Sequence, residues 1–369
     1  MRPPIAMVLA VFVFRGASPG AVSAQEPAGA SRMAALSRNA EVTAPPMQTP
    51  VLGFVSVAPA GTGGRRVHDA AVTGLSRTRL QVNALVGIPG SAAISGPLSI
   101  PSSVTSMHLA PGQGYAIVET EPGDSVALAQ FAGTQVLAPT ALPANVKAPD
   151  LISFSPNASA AALFSAAQPR LVVLTGLPTA PQVARQMESG ALPGNIRELA
   201  IADDGATVMA GTSDGRVLLL SGDGTQKLLY SATDLGGIAF VPGSTDAVVF
   251  DREGGRTMLI ASAATAPSMR SLAEGLAIPK TGVCIVQVDA RSVLVSAIGA
   301  TNVWRIDLQT GQVQDVRLSP ALTMMQPLRA AGRYVLSAQP GQPAWVLDTS
   351  GETSTVFFVP RQMATSRVH

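Results

Sequence analysis

The feature that most constrains the fold is an internal repeat. From about Val104 onward, apolar segments recur with a period of roughly 40 to 45 residues, which is typical of a four-stranded propeller blade. Each unit opens with a short apolar segment, a turn containing Pro, Asp or Gly, and a second apolar segment. The openings are Ser106–Pro111, Leu151–Pro156, Leu199–Asp204 and Ile238–Pro242, and their partners are Tyr115–Val118, Ala160–Phe164, Thr207–Ala210 and Ala247–Phe250. Small apolar strands suit the crowded axis of a propeller better than a sandwich.

A third strand of the unit is visible in three places. Val217–Leu220, Val303–Asp307 and Trp345–Asp348 are apolar segments, and each is followed by a short turn that contains glycine. Glycine accepts the positive φ that a tight hairpin needs. These segments therefore predict a hairpin at the outer side of each blade.

The repeat predicts an all-β propeller of four-stranded antiparallel blades. About six units fit between Val104 and Pro360, and Pro50–Val57 and Arg79–Val86 supply two earlier strands. These strands could complete a seventh blade or extend the last one, and pairing early with late strands would close the ring. We therefore favour seven blades, with six as the alternative. Regular helical periodicity is lacking, and 47% hydrophobic residues permit a large core.

The N-terminus has the pattern of a secretory signal peptide. Arg2 precedes the apolar run Ile5–Phe14, and the small residues Val22-Ser23-Ala24 follow it. The run is about half the length of a bilayer-spanning helix, so an uncleaved anchor is the weaker alternative. We predict a signal peptide over 1–24, a flexible linker over 25–49, the propeller over 50–360 and a C-terminal tail over 361–369. The mature chain is expected to lack a transmembrane span and to be periplasmic, on the cell surface or extracellular.

The charge balance argues against a nucleic-acid partner. Removing Arg2 and Arg15 with the signal peptide from the 25 basic residues leaves 23, which equals the 23 acidic residues. Only three lysines are present and the arginines are scattered, whereas binding to phosphates needs clustered positive charge.

A resemblance to known proteins rests on five segments, namely Val51–Val55, Leu85–Ala92, Gly96–Leu98, Gln342–Asp348 and Val356–Pro360. These segments resemble secreted β-propeller proteins of acidobacterial type, and the chain also resembles the wider WD40-like and YVTN-like class. The resemblance covers roughly residues 50 to 360, although the Trp-Asp dipeptide of true WD40 repeats is absent. It implies the propeller fold and transfers no catalytic residues.

The inventory of reactive side chains is small. Cys284 lies in a strand-like apolar segment, which favours a buried packing residue, and a nucleophile there would need a histidine base. His68 is expected in a loop, whereas His108 lies on a predicted innermost strand and could point into the central channel. Three scattered histidines and one cysteine give no ligand spacing for zinc, so we predict no metal or other cofactor.

Other polar and aromatic residues have a structural and a functional interpretation. Asp203-Asp204-Gly205, Asp214-Gly215 and Asp223-Gly224 suit β-turns, with a calcium site as the minor alternative. Arg65-Arg66 suit a solvated loop more than an anion site.

Trp304 and Trp345 occupy equivalent third-strand positions, which indicates packing between blades, with carbohydrate stacking as the alternative.

The sequence therefore favours a non-enzymatic binding or scaffold propeller with a protein or peptide partner, since loops on a rigid scaffold commonly carry recognition. No catalytic residue is assigned. An adhesive or envelope-assembly component tethered through the linker is a further possibility. The enzymatic alternative is a hydrolase or lyase acting on a glycan or lactone, with acids such as Asp203, Asp251 or Glu253 near the funnel.

Overall fold

A computed structural model of the protein describes residues 50–57, 80–88, 90–121, 125–143, 149–337 and 342–361. The predicted signal peptide and linker lie outside these residues, as do Arg65, Arg66, His68 and all of the C-terminal tail except Arg361. In the part of the chain described, no helix has the length and apolarity that crossing a membrane requires.

The described residues form strands joined by turns, with two short 3-10 helices at Pro111–Gln113 and Ser189–Ala191. The strands in chain order are β1 (Val51–Val57), β2 (Gln81–Val86), β3 (Ala93–Pro97), β4 (Val104–Leu109), β5 (Tyr115–Thr120), β6 (Ser125–Ala132), β7 (Gln135–Val136), β8 (Thr140–Ala141), β9 (Leu151–Phe154), β10 (Ala160–Ser165), β11 (Arg170–Thr175), β12 (Gln182–Glu188), β13 (Ile196–Ile201), β14 (Val208–Thr212), β15 (Arg216–Leu220), β16 (Gln226–Ser231), β17 (Leu235–Phe240), β18 (Ala247–Asp251), β19 (Arg256–Ala261), β20 (Ser268–Ala273), β21 (Cys284–Val288), β22 (Ser292–Ala297), β23 (Asn302–Asp307), β24 (Val313–Arg317), β25 (Gln326–Pro327), β26 (Arg333–Ser337), β27 (Ala344–Asp348) and β28 (Thr355–Val359).

These strands form seven antiparallel blades of a propeller. Blade 1 contains β1–β3 and blade 2 contains β4–β7, with β8 also paired to β6. Blades 3 to 7 are regular four-stranded sheets, made of β9–β12, β13–β16, β17–β20, β21–β24 and β25–β28. The prediction of an all-β propeller with seven blades is therefore confirmed.

The ring is closed by packing between neighbouring blades. In the described residues, seven apolar clusters each combine side chains from two adjacent blades. One of them joins Val55 and Leu85 of blade 1 to Val335 and Val346 of blade 7. Because every blade contacts a blade on either side, the inner strands are covered on both faces.

That double coverage explains the local sequence pattern. In β14, Val208–Thr212, every residue is buried, and its sequence is almost continuously apolar. The outermost strand β16, Gln226–Ser231, is mostly exposed, and its sequence mixes polar and apolar residues. A strand covered on both faces gives an apolar run, and a half-covered strand gives a mixed one.

The two early predicted strands form a blade of their own. They correspond to β1 and β2, and they pair with β3, which the sequence analysis did not identify. The chain then returns to blade 1 at its other end, where Ile94 N–H donates to the Pro360 carbonyl at 2.9 Å and Ile94 forms a parallel bridge with Arg361. Early and late segments thus meet as expected, through one bridge.

The junction of blades 1, 2 and 7 contains a buried amide, and we call the four residues Gly53, Phe54, Gln113 and Pro327 the seam. Gln113, between β4 and β5, is fully buried and has a positive φ of 49°. Its Oε1 accepts from Phe54 N–H at 2.5 Å, and its Nε2 donates to the carbonyls of Phe54 at 3.0 Å and Pro327 at 2.8 Å. One side chain therefore links three blades.

Candidate functional site

A cavity of the described residues lies where the inner strands converge. It has a volume of about 660 Å³ and opens on the side that carries the turns between the first and second strands of blades 2 to 7, which we call the funnel face. The funnel is lined by Leu109, Pro111, Gly112, Ile152, Ser153, Phe154, Pro156, Asn157, Ala200, Ile201, Ile238, Ala239, Phe240, Pro242, Val286, Gln287, Val288, Asp289, Ala290 and Pro327–Tyr334.

The wall of the funnel is mainly apolar and is formed by the inner strands and the turns that follow them. Blades 3 and 5 contribute large side chains from β9 and β17, including Phe154 and Phe240. Pro156 and Pro242 lie two residues after the ends of these strands, in the turns. Proline fixes φ and lacks an N–H, so such turns present a rigid rim with fewer backbone donors. A preformed apolar cavity of this size is typical of ligand sites.

Two charged groups at the funnel already have hydrogen-bond partners. Asp289 accepts hydrogen bonds from the N–H groups of Arg291 at 2.8 Å and Ser292 at 2.7 Å. Arg333 donates from Nε to Asp348 at 2.8 Å. Burial acts to raise the pKa of Asp348, but hydrogen bonds from Ser350 and Arg333 outweigh it, so this pKa lies below its ordinary value.

Arg329 is different, because its guanidinium has no counter-ion in the part of the chain that the structure describes. It lies in the turn after β25 with its central carbon 4.8 Å from the ring centroid of Phe54. Within the described ranges, that guanidinium makes no hydrogen bond and no ion pair, and burial lowers its pKa. Phe54 is fully buried and stacks on Phe131 at 4.3 Å. The cation thus rests on an immobile aromatic platform beside the cavity.

Asp203 has a structural role at the rim. Its Oδ1 accepts from Asn157 N–H and its Oδ2 from Gly243 N–H, both at 2.7 Å. These residues belong to the turns of blades 3 and 5, whereas Asp203 lies in the turn of blade 4. The carboxylate therefore ties three consecutive turns together, a function that sequence reasoning did not identify.

The three acids considered for hydrolase chemistry do not form one site. Asp203 lies on the funnel face, whereas Asp251 ends β18 at the opposite face and Glu253 follows it in an exposed turn. Asp251 is buried and accepts from the N–H groups of Thr233 at 3.1 Å and Asp234 at 3.0 Å. Its carboxylate oxygens thus hold a neighbouring turn in place.

His108 lies on the innermost strand β4, as predicted, but is not among the funnel-lining residues. Its Nε2 is 3.6 Å from Oε1 of Glu119 on the next strand, and its side chain is 42% exposed. His108 is therefore a partly solvated strand residue beside Glu119. The other histidine considered, His68, lies outside the described residues.

Cys284 begins β21 and is buried at the opposite face, within the cluster between blades 5 and 6. It borders a groove of about 370 Å³ and lies close to Arg252. The hydrogen bond that Arg252 Nε donates to the Asp234 carboxylate at 2.6 Å raises the pKa of Arg252. No histidine lines this groove. The geometry matches the predicted packing role of the thiol.

The aspartates singled out as turn residues occupy turns in the structure. Asp204 accepts from Thr207 N–H at 2.8 Å, Asp223 accepts from Thr225 N–H at 2.9 Å, and Asp214 bonds Thr212 and Arg216 in a separate hairpin. In the described part of the chain, no group of three or more His, Cys, Asp or Glu side chains is placed to hold a metal ion.

The two tryptophans pack between blades, as predicted. Trp304 contacts the cluster between blades 5 and 6 and donates from Nε1 to the Ala277 carbonyl at 3.4 Å. Trp345 packs against the cluster between blades 6 and 7, and its ring centroid is 6.2 Å from that of Phe358. Both rings therefore fill the space toward the preceding blade.

Comparison with known proteins adds support for the fold alone. No protein-family model matches the chain, and no curated protein sequence matches it. A solved Lactobacillus plantarum protein is similar in structure, with a TM-score of 0.54 and 11% identity over 85% of this chain and 98% of that one. A functionally unknown protein from Desulfotomaculum acetoxidans has a TM-score of 0.49 and 12% identity over 76% of this chain and 96% of that one.

Proposed function

We propose that this chain is a non-enzymatic binding propeller of the bacterial envelope that holds a protein or peptide segment in its funnel. The observation that supports this most is the 660 Å³ apolar funnel with a proline-bordered rim. A rigid apolar cavity stabilises a bound segment by removing its apolar side chains from water without reordering the site.

The polar groups of the funnel face favour binding over catalysis. The carboxylates of Asp203 and Asp289 accept hydrogen bonds from backbone N–H groups. A general acid or base needs a free position toward substrate, and these oxygens are directed into turns. We therefore assign both aspartates to the architecture of the rim.

Photo-crosslinking tests where a partner binds. A photoreactive phenylalanine analogue replaces Ala239, which lines the funnel, or Ser268, which is exposed on the outermost strand β20. In the native envelope, we expect the Ala239 probe to label a discrete partner segment and the Ser268 probe to leave it unlabelled. A synthetic peptide of that segment must then bind the purified chain and compete with the labelling. Labelling that is equal at both positions, or a peptide that does not compete, would contradict the proposal.

Export is part of the same proposal. A signal peptide cleaved after Ala24 would leave Gln25 as the first residue of the mature chain. Cell fractionation with N-terminal sequencing checks this, and we expect the mature chain outside the cytoplasm with Gln25 at its N-terminus. Recovery of full-length chain from the cytoplasmic fraction would contradict export.

A further inference from the structure

One positive charge at the funnel is left without a counter-ion. Asp289 is occupied by backbone N–H groups, and Arg333 is paired with Asp348. Arg329 has an aromatic ring beneath it and an open cavity beside it, with no ion pair among the described residues. Among the charged side chains that line the funnel, the Arg329 guanidinium is therefore the one whose N–H donors have no partner in the described part of the chain.

A guanidinium in this setting favours an anion more than one in open water does. Partial burial weakens hydration of the cation, and a lower effective dielectric strengthens its attraction to a negative charge. The effect of burial is also visible in the lowered pKa of Arg329. The contact with the buried Phe54 ring restrains the guanidinium, so less conformational freedom is lost when a ligand binds.

The surroundings of Arg329 select among anions. A carboxylate matches the two parallel N–H donors of a guanidinium, and it can be flanked by apolar groups. A phosphate is larger and more strongly hydrated, and it requires several donors. The neighbouring wall supplies Leu328, Pro327 and Ala330 instead. The site therefore fits a carboxylate on an otherwise apolar segment.

We propose that the funnel recognises peptide segments by a carboxylate that pairs with the Arg329 guanidinium while apolar side chains fill the cavity. This inference rests on the proposed function and specifies its ligand chemistry. The carboxylate has two sources in a peptide, namely the chain terminus and an acidic side chain. Both offer the same pair of oxygens, and they differ in the backbone that accompanies them.

Fluorescence anisotropy with the full mature chain separates these cases. The probes are pools of short peptides rich in aliphatic and aromatic residues, made with a free C-terminal carboxylate, with a C-terminal amide, or with a C-terminal amide and one internal glutamate. We expect the carboxylate-bearing pools to bind about 10- to 100-fold more tightly than the plain amide pool, because a hydrogen bond between charged groups contributes an affinity difference of this size. The tighter of the two acidic pools identifies the source.

Variants of Arg329 assign the effect to this side chain. Arg329→Gln is expected to weaken binding of the acidic pools by about 10- to 100-fold and to leave the amide pool unchanged. Arg329→Lys keeps the positive charge but loses the two parallel N–H donors of the guanidinium. Its affinity for the acidic pools is expected to lie between those of the native chain and Arg329→Gln. Arg291→Gln removes an exposed arginine from the same face and is the matched control, with affinity unchanged. Thermal melts verify that each variant is folded.

The outcomes separate this inference from the proposed function. If all three pools bind equally and Ala239→Trp weakens them, the funnel binds peptides and the role of Arg329 is wrong. If no pool binds the native chain, both proposals are contradicted. If Arg291→Gln weakens binding as much as Arg329→Gln does, general surface charge accounts for the effect and the inference is overturned.

Discussion

The regular interfaces of blades 3 to 6 and the seam hold the ring together in different ways. Between regular blades, aliphatic and aromatic side chains fill the interface, as in the cluster of Phe164, Leu171 and Ile201. At the seam, the Gln113 amide makes three hydrogen bonds to the backbone of blades 1 and 7. Apolar packing tolerates small changes in shape, whereas a buried amide depends on each of its partners. The ring is thus robust around most of its circumference and sensitive at one point.

The largest expected effect comes from removing the amide. Gln113→Ala leaves the Phe54 N–H and the Pro327 carbonyl without this partner, leaves the Phe54 carbonyl with only Gln326 Nε2 at 3.4 Å, and creates a cavity, so we expect the free energy of unfolding to fall by about 3 kcal/mol. Denaturant titration measures the change. Gln226→Ala is the control, because its exposed amide makes one bond to the Ala191 carbonyl. A loss at Gln113 no larger than at Gln226 would show that the seam is not sensitive.

The close approach at the seam gives the second test. A Cβ at Gly53 would lie 2.5 Å from Gln113 Oε1 and 2.6 Å from a methyl carbon of Leu328, whereas a Cβ at Gly96 in the same blade meets nothing within 4 Å. We expect Gly53→Ala to destabilise the fold by about 2 kcal/mol and Gly96→Ala to have little effect. Equal melting temperatures for the two variants would contradict the tight contact.

Asp203 brings polar bonding to the regular blades, and its substitution tests how far they depend on it. The two carboxylate oxygens of Asp203 accept from the N–H groups of Asn157 and Gly243, one each. Asp203→Asn replaces one of these oxygens with an amide NH2 group, which cannot accept, so we expect the free energy of unfolding to fall by about 1 kcal/mol. Asp223→Asn, whose carboxylate bonds only its own hairpin, is the control and should cost less. Hydrogen exchange should show faster opening of the three rim turns in the Asp203 variant alone.

The smallest expected effect is on the stability of the fold at acidic pH. Burial acts to raise the pKa of Asp204, but hydrogen bonds from Thr207 and Ala206 outweigh it, so the folded-state pKa lies below the ordinary value. Stability from this group is therefore present above its unfolded pKa of about 4 and is lost as pH falls through the folded value. Asp204→Asn should flatten the decline of melting temperature below about pH 4. An unchanged acid profile would contradict the assignment.

Local patterns predicted most of the regular blades. The openings Leu151–Pro156 and Ile238–Pro242 became the inner strands β9 and β17 with their turns, because burial on both faces leaves an apolar run in the sequence. The turn roles of Asp204 and Asp223 were predictable because their hydrogen bonds reach only two or three residues along the chain.

The seam and the funnel cation could not be predicted in this way. Gln113 and Pro327 are 214 residues apart in sequence, and Pro111-Gly112-Gln113 looks like any other turn. Arg329 gains its significance from Phe54 and from the lack of a neighbouring acid among the described residues, which only the folded chain determines.

The most direct test of a binding funnel is to fill it. Ala239→Trp places a large side chain among the funnel residues without altering the seam or Arg329, and Ser268→Trp adds the same side chain to the outer strand β20. Titration of the full mature chain with the peptide pools should show that Ala239→Trp abolishes binding, whereas Ser268→Trp leaves affinity unchanged, with both variants melting as the native chain does. Full affinity in a folded Ala239→Trp variant would contradict the funnel as the binding site.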